Sequence, residues 1–200
     1  MAVCTILAGP NGSGKSSLFD LLRPVGEFVN ADVIARSADL GKAQAARQAI
    51  RRLDAILHAR ADFVFETTLS SHHAIALIRR ARQSEYEIGL VFVALASADL
   101  NVRRVAERVS RGGHDIPEDD IRRRYPRAFR NLGRAVPLVH GSLIYDNSGR
   151  VPELLLRIAS GIIAENRIDG ARPHHALIAE VVAKSLGLQA DAVLRAAGRE

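Results

Sequence analysis

The sequence has 200 residues, of which 48% are hydrophobic and 25% are charged. This length is enough for one domain with a sizeable core, and the composition is not that of a disordered chain. The single cysteine, Cys4, excludes an intrachain disulfide and predicts a reducing compartment. No apolar stretch approaches the roughly 18 residues of a membrane helix. The first residues lack a basic leader, so we expect a cytoplasmic protein.

The positive charge of the chain is concentrated in one segment. The net charge is +6 and the isoelectric point is about 10.2, values that raise nucleic acid as a partner. Residues 103–134 contain ten arginines and five acidic residues, whereas the rest of the chain is nearly neutral. Few aromatic side chains are present for stacking on bases. The distribution therefore favours a local anion-binding patch over a nucleic-acid surface.

Short apolar runs alternate with segments of helical periodicity along the chain. The predicted strands cover residues 3–8, 27–30, 63–65, 88–95 and 142–145. The predicted helices cover residues 15–22, 41–60, 72–84, 98–110, a segment that starts at Pro117, and then 152–164, 174–186 and 189–197. Alternating strands and helices predict a three-layer α/β fold with a mostly parallel, five-stranded sheet.

A glycine-rich loop between the first predicted strand and helix matches the phosphate-binding pattern G-x-x-x-x-G-K-[ST]. Its glycines let backbone N–H groups surround a phosphate, and the helix N-terminus adds partial positive charge. We expect Lys15 to reach the outer phosphates of ATP and the Ser16 hydroxyl to bind Mg²⁺. The expected nucleotide-binding residues of the loop are Gly9, Pro10, Asn11, Gly12, Ser13, Gly14, Lys15, Ser16 and Ser17. A simple turn without a ligand is the alternative.

Two acidic residues follow predicted strands, at the edge where α/β sheets bind ligands. Asp32 follows the second strand, and we expect it to orient an acceptor hydroxyl and take its proton, unless it only caps a helix. Glu66 follows the third strand and is a candidate to hold the metal through water or to bind substrate, unless it is only a charge at a strand end. Thr67 and Thr68 come next and suit a polyhydroxy substrate.

The arginine-rich segment predicts a helical arm that closes over phosphates. Arg104, Arg108 and Arg111 share one face of its first helix, and no acidic residue stands three or four positions from Arg108. In the second helix, three acidic residues precede three arginines by four positions, which predicts partial local neutralisation. These residues are Glu118, Asp119, Asp120, Arg122, Arg123 and Arg124. A solvated basic face is the alternative.

Over about residues 1–150, the ordered set of motifs resembles the zeta-toxin family of P-loop kinases, in its short, single-domain members. The motifs are the loop 9–17, Asn30-Ala31-Asp32 with Ile34-Ala35, Glu66-Thr67-Thr68-Leu69, Arg104-Val105-Ala106-Glu107-Arg108-Val109, Gly112-Gly113-His114, Ile116-Pro117, Ile121, Arg123-Arg124-Tyr125 and Asn131-Leu132. The resemblance implies ATP-dependent phosphorylation of a nucleotide sugar, with the sugar 3-hydroxyl of UDP-N-acetylglucosamine as the type acceptor. It also implies a small antitoxin partner for many members.

The same resemblance assigns roles to individual residues. It implies Asp32 as the base, Glu66 and Thr68 as substrate contacts, and Arg108 as an arginine of the lid. Asn30 and Thr67 adjoin these positions and are further candidate substrate contacts, and Arg111 and Arg124 are both candidates for a second lid arginine. Independently of the resemblance, the polar stretch from Glu165 to Pro173 predicts a domain boundary. The predicted kinase domain covers residues 1–164, with a lid at about 98–134, and we expect residues 165–200 to form a helical extension that packs on the core. We expect Pro126 to interrupt the second helix of the lid.

Two other classes of function stay open at the level of the sequence. The first is an ATPase or polynucleotide kinase that acts on nucleic acid, which the isoelectric point suggests. The second is a non-catalytic nucleotide switch, which the phosphate-binding loop alone also fits.

Overall fold

The computed structural model describes residues 1–30, 34 and 41–196. The strands are β1 (Val3–Ala8), β2 (Glu27–Val29), β3 (Phe63–Thr67), β4 (Glu87–Ala94), β5 (Gly141–Asp146), β6 (Glu153–Ala159) and β7 (Ile162–Asn166). The helices are α1 (Lys15–Leu22), α2 (Lys42–Ala59), α3 (His72–Gln83), α4 (Ala98–Ser110), α5 (Glu118–Ala135), α6 (Pro173–Leu186) and α7 (Ala190–Ala196), and one 3₁₀ turn spans Val136–Leu138.

The strands form one sheet in the order β2-β3-β1-β4-β5-β6-β7. The first five strands are the five predicted ones, and all of their pairings are parallel. Strands β6 and β7 add to the β5 edge by antiparallel pairing. Because β1 runs parallel to its neighbours β3 and β4, the loop that follows β1 emerges at the carboxyl edge of the parallel strands, where ligands bind in such sheets.

The predicted helix over 152–164 is wrong, because this segment forms the β6–β7 hairpin, and the sheet has seven strands within the described residues instead of the predicted five. The two residues between the strands, Ser160 and Gly161, have φ angles of 50° and 78°. Positive φ at both central positions is the geometry that joins two antiparallel strands tightly. The apolar composition did not distinguish a helix from a hairpin, and the Ser-Gly pair was the missed turn signal. The boundary expected at 164/165 falls inside β7.

Two hydrophobic clusters cover the two faces of the sheet, so the fold has the predicted three layers. Successive residues of a strand point to opposite faces. In β1, Cys4, Ile6 and Ala8 belong to the larger cluster with residues of α2, α3, α5 and α6, whereas Leu7 belongs to a smaller one with Leu18 of α1. Burial raises the pKa of the Cys4 thiol to about 12, so this cysteine is a core residue that stays protonated.

The expected interruption at Pro126 is also wrong, because α5 runs without a break from Glu118 to Ala135. An internal proline removes one backbone hydrogen bond and costs about 3 kcal/mol in a helix. Pro126 lies on the exposed face, whereas Phe129 and Leu132 beyond it are buried in the larger cluster. The packing of the second half of α5 therefore outweighs the local penalty.

The segment after β7 forms α6 and α7, in agreement with the predicted helices up to residue 196, the last one described. Ile178 and Val182 of α6 and Val193 of α7 are buried in the same cluster as β1 and α5. The extension is thus packed on the core. None of the helices in the described part of the chain is long and apolar enough to cross a membrane.

Candidate active site

The phosphate-binding loop connects β1 to α1 and requires glycine at its bends. Gly12 and Gly14 have φ angles of 74° and 86°, in the left-handed region that other residues rarely adopt. The loop is closed by a hydrogen bond from the Ser13 N–H to the Pro10 carbonyl, at 3.2 Å. Helix α1 then begins at Lys15, so its N-terminus faces the space inside the loop.

Lys15 is buried within the loop and lies beside Glu66. Its Nζ donates hydrogen bonds to the carbonyl oxygens of Gly9, at 2.9 Å, and Pro10, at 3.1 Å. The same nitrogen is 3.8 Å from Oε1 of Glu66, which is on the neighbouring strand β3. The structure therefore brings together the predicted phosphate-binding lysine and the predicted carboxylate.

Three polar side chains from other elements hold the outside of the loop. Asn101 of α4 donates to the Asn11 carbonyl. Arg124 of α5 has its Nη1 3.5 Å from Asn11 Oδ1. Asn147, directly after β5, donates to the Ser13 carbonyl at 2.8 Å. The arm and the carboxyl end of β5 therefore contact the same loop.

Sequence reasoning missed Asn101 and Asn147. Asn101 is fully buried on a helix face that also carries Val105, and a buried amide needs a hydrogen-bond partner, which the Asn11 carbonyl supplies. Asn147 directly follows the last parallel strand, at the edge where the other site residues were sought. The place of Asn101 on an apolar helix face and the place of Asn147 at the end of a strand were the signals that could have identified these two residues.

A cavity of about 540 Å³ opens between the loop and the arm. Its lining residues are Gly12, Gly14, Lys15, Ser16, Ser17, Glu66, Arg104, Glu107, Arg108, Arg111, Gly112, Gly113 and Asn147. It brings five of the nine predicted loop residues and Glu66 together with the three arginines that were expected to share one face of the arm, whereas Gly9, Pro10, Asn11 and Ser13 do not line it. A pocket of this size, which combines a phosphate loop, a carboxylate and several cations, suits a polyphosphate ligand.

Arg108, the expected lid arginine, is exposed and is oriented by the joint of the arm. Its Nη2 donates to the carbonyl of His114 at 2.7 Å. Among the described residues, no carboxylate forms an ion pair with Arg108, as the spacing predicted. Of the two candidates for a second lid arginine, Arg111 lines the cavity and Arg124 contacts Asn11. Both reach the site, from different helices.

The three arginines in the first half of α5 are paired with acidic residues nearby, as predicted. Arg122 pairs with Glu118 at 2.7 Å and also with Asp99 of α4 at 2.6 Å, which ties the two helices together. Arg123 and Arg124 both pair with Asp120, so the predicted pairing of Arg123 with the acid four residues earlier is replaced by one three residues earlier. The arm thus directs only part of its charge to the cavity.

The predicted substrate residues around β3 are half-buried and form hydrogen bonds within a turn. Thr67 Oγ1 accepts the Leu69 N–H at 3.1 Å, and the Thr68 and Ser70 hydroxyls are 2.8 Å apart. Asn30, at the end of β2, is buried. The expected base, Asp32, lies outside the described residues. Contact of these residues with substrate stays a prediction.

A model of the zeta toxin family matches residues 27–152 of the chain. The match begins after the phosphate-binding loop, so the loop is identified by its own sequence motif and geometry. An uncharacterized protein of Haemophilus influenzae is 30% identical over 123 residues, which cover 58% of this chain and 88% of that protein.

Two solved structures have a similar fold at low sequence identity. A crystal structure of the AvrRxo1-ORF1:-ORF2 complex with ATP matches with a TM-score of 0.69 and 13% identity, over 89% of this chain and 64% of that one. A structure from the PezAT chromosomal toxin–antitoxin system of Streptococcus pneumoniae matches with a TM-score of 0.59 and 12% identity, over 98% and 87% of the two chains. The family match spans more than half of the chain, and the chain therefore belongs to the zeta toxin family.

Proposed function

We propose that this protein is an ATP-dependent kinase that transfers the γ-phosphoryl group to a sugar hydroxyl of a nucleotide sugar such as UDP-N-acetylglucosamine. The observation that carries the proposal is the cavity in which the phosphate loop, Glu66 and the arginines of the arm meet. Membership of the zeta toxin family supports the same class of reaction. The identity of the acceptor as a nucleotide sugar is the more specific part of the proposal, and it rests on the sequence motifs.

The proposed reaction assigns one task to each group. The loop N–H groups and Lys15 bind the β- and γ-phosphates. Asp32 takes the proton from the acceptor hydroxyl, whose oxygen then forms a bond to the γ-phosphorus. The bond between that phosphorus and the β–γ bridging oxygen breaks, and ADP leaves with the electron pair. Arg108 and a second arginine stabilise the charge on the transferred group, and the arm excludes water.

The oxygen donors in the cavity fit Mg²⁺. The Ser16 hydroxyl and the Glu66 carboxylate line the same cavity, and hard oxygen ligands of this type are those that Mg²⁺ prefers. We propose that Ser16 binds the ion directly and that Glu66 holds it through water or contacts the substrate. The ion would neutralise charge on the β- and γ-phosphates.

The distribution of charge supports a phosphate clamp over a nucleic-acid surface. Arg104 and Arg108 of α4, and Arg111 directly after it, line the cavity, whereas the arginines in the first half of α5 pair with Glu118, Asp99 and Asp120. A nucleic-acid enzyme would need a continuous row of free cations along its surface. Binding to oligonucleotides with a steep salt dependence would favour that alternative.

A protein partner is part of the proposal. The similar structure from Streptococcus pneumoniae belongs to a toxin–antitoxin system. We propose that a small antitoxin binds this chain and blocks the cavity. Co-purification of the product of a neighbouring short reading frame, with loss of turnover, is the expected result.

The test of the proposed function is an assay with Mg-ATP and UDP-N-acetylglucosamine, read by mass spectrometry. We expect ADP and a phosphorylated nucleotide sugar. Turnover with another hydroxyl compound, and none with this one, would retain the kinase but reject the substrate.

The base is tested by Asp32→Asn, which should abolish transfer and leave ATP binding largely intact. The matched control is Asp54→Asn, because Asp54 is an exposed acid of α2 that pairs only with Arg80 of α3, at 2.7 Å, among the described residues. Unchanged turnover in Asp32→Asn would exclude Asp32 as the base.

A further inference from the structure

A buried polar cluster joins the C-terminal extension to the end of β5. Nε2 of His174 and Nε2 of His175, both in the first turn of α6, lie 2.9 Å and 3.1 Å from Oδ2 of Asp146. All three side chains are buried. The Nη1 of Arg172 lies 3.6 Å from the same carboxylate oxygen. The last residue of β5 is therefore fixed by the extension.

The hydrogen-bonding pattern identifies this cluster as a set of donors around a carboxylate. The ligand atoms of Asp146, His174 and His175 lie within 4.8 Å of one another, which is close enough for a shared metal ion. However, Nδ1 of His175 accepts the backbone N–H of Asp169 at 3.1 Å. The ring proton of neutral His175 is therefore on Nε2, and this nitrogen donates to Asp146 instead of offering a lone pair to a metal.

The second oxygen of Asp146 closes the turn that carries Asn147. Oδ1 accepts the Ser148 N–H at 2.9 Å and also the Ser148 hydroxyl. The Asn147 N–H continues the pairing of β5 with β4 by donating to the Ala94 carbonyl at 3.0 Å. Both the backbone and the neighbours of Asn147 are thus fixed, which leaves its side-chain amide directed at the phosphate loop.

The amide of Asn147 meets the loop at the peptide that joins Ser13 to Gly14. Its Nδ2 donates to the Ser13 carbonyl at 2.8 Å. A Cβ atom on Gly14 would overlap with this same amide nitrogen, so Gly14 and Asn147 share one space. Asn147 also lines the cavity beside Lys15 and Ser16. Its amide therefore fixes the carbonyl side of the peptide whose N–H belongs to Gly14.

We propose that Asn147 is a positioning residue for the phosphate-binding loop, and that the cluster of Asp146, His174 and His175 holds Asn147 at the loop. The C-terminal extension thereby acts on ATP affinity, although its helices do not line the cavity. This inference rests on the proposed function, because it concerns the geometry with which the loop binds ATP.

The experiment measures the affinity for Mg-ATP by calorimetry, without any acceptor, together with the midpoint of thermal unfolding. Asn147→Ala and the nearly isosteric Asn147→Leu both remove the donor to Ser13 and should weaken ATP binding about tenfold, the effect of losing one buried hydrogen bond. His174→Ala should weaken it in the same direction by a smaller factor, because it acts through Asp146.

The matched control is Asn166→Ala. Asn166 is half-buried in the extension, and, as in Asn147, its Nδ2 donates to a backbone carbonyl, here that of Val193. We expect this variant to lower the unfolding midpoint and to bind ATP as the wild type does. Equal ATP affinity in Asn147→Leu and wild type would overturn the inference and leave the proposed function standing. If folded wild type binds no ATP, both the inference and the proposed function are rejected.

Discussion

The phosphate loop is held from two sides by regions of opposite character. The arm of α4 and α5 touches it with Asn101 and Arg124, and has its own small cluster of Val105, Ile116 and Ile121. Most of the ion pairs of the arm are exposed. The extension acts through Asp146, His174 and His175, which are buried, and its helices belong to the main core.

The difference between the two regions indicates that the arm is suited to movement and that the extension is suited to support of the loop. Exposed ion pairs contribute little and are screened by salt, so the part of the arm that they join, α4 and the first half of α5, can open and close at low cost. The second half of α5 is buried in the main core together with the extension. A buried charge with several hydrogen bonds is costly to disrupt, so the extension fixes the loop. We therefore expect variants in the arm to affect turnover, and variants in the cluster to affect stability and ATP affinity.

The largest expected effect is on turnover, from Arg108→Ala. An arginine that stabilises the charge of the transferred phosphoryl group contributes about 10³-fold or more to kcat. The control is Arg123→Ala, because Arg123 is exposed and already paired with Asp120. Steady-state kinetics with Mg-ATP should show the loss only in the first variant. Equal kcat values in the two variants would show that Arg108 takes no part in phosphoryl transfer.

The next effect is on stability, from Asp146→Ala. Removal of a buried charge that accepts hydrogen bonds from two histidines should lower the free energy of unfolding by about 3 kcal/mol. Asp120→Ala, which breaks half-exposed pairs of the arm, should change it by less than about 1 kcal/mol. Urea unfolding measures both. A loss as large for Asp120 as for Asp146 would refute the contrast between the two regions.

The pH dependence of stability follows from the same cluster. Burial is the main cause that lowers the pKa of His175, and it outweighs the opposing hydrogen bond to Asp146; His174 and Arg172 also lower this pKa. The folded state thus resists protonation, so its stability is complete above the ordinary histidine pKa of about 6.5 and falls as pH drops below it, by at most about 1.4 kcal/mol per pH unit.

The carboxyl of Asp146 extends the pH dependence of stability to lower pH. Burial alone would raise its pKa, but hydrogen bonds from His174, Ser148 and His175 outweigh burial and hold the pKa below its ordinary range. Its contribution is therefore lost only at still lower pH. Urea unfolding of wild type and His175→Gln between pH 7.5 and 5 should show a steeper loss in the wild type. If the two proteins lost stability in parallel as the pH fell, protonation of His175 would not be the cause of the loss.

The smallest effect is expected in the arm, from Arg122→Ala. Arg122 joins α4 to α5 through Asp99 but is exposed. Its removal should lower the unfolding midpoint slightly at low salt and not measurably at 1 M salt, because salt screens exposed pairs. A shift that persists at high salt would show that the arm is held more firmly than its ion pairs indicate.

The part of the site that lies close together in the sequence was the part that could be predicted. The loop motif and the spacing of Arg104, Arg108 and Arg111 were sufficient to place these residues at one cavity. Asn147 and Asp146 were missed, because their partners Ser13 and His174 are distant along the chain. Only the sheet order brings β5 and α6 to the loop.

The errors in the fold have a similar physical origin. Residues 152–164 are apolar without a clear period, and the edge of β5 that pairs with them cannot be read from their own sequence. Pro126 penalises a helix locally, but burial of Phe129 and Leu132 decides the course of α5. In both cases, a tertiary contact outweighed a local preference.

The proposed kinase activity is tested most directly by following the γ-phosphoryl group of ATP. The protein is incubated with Mg-ATP labelled with ¹⁸O in the γ-phosphoryl group and with a metabolite extract, and products are identified by mass spectrometry. We predict a labelled phosphate ester from the wild type and none from Lys15→Met, in which the loop loses the ammonium group that binds the phosphates. No labelled ester from folded wild type, or equal amounts from both proteins, would contradict the account.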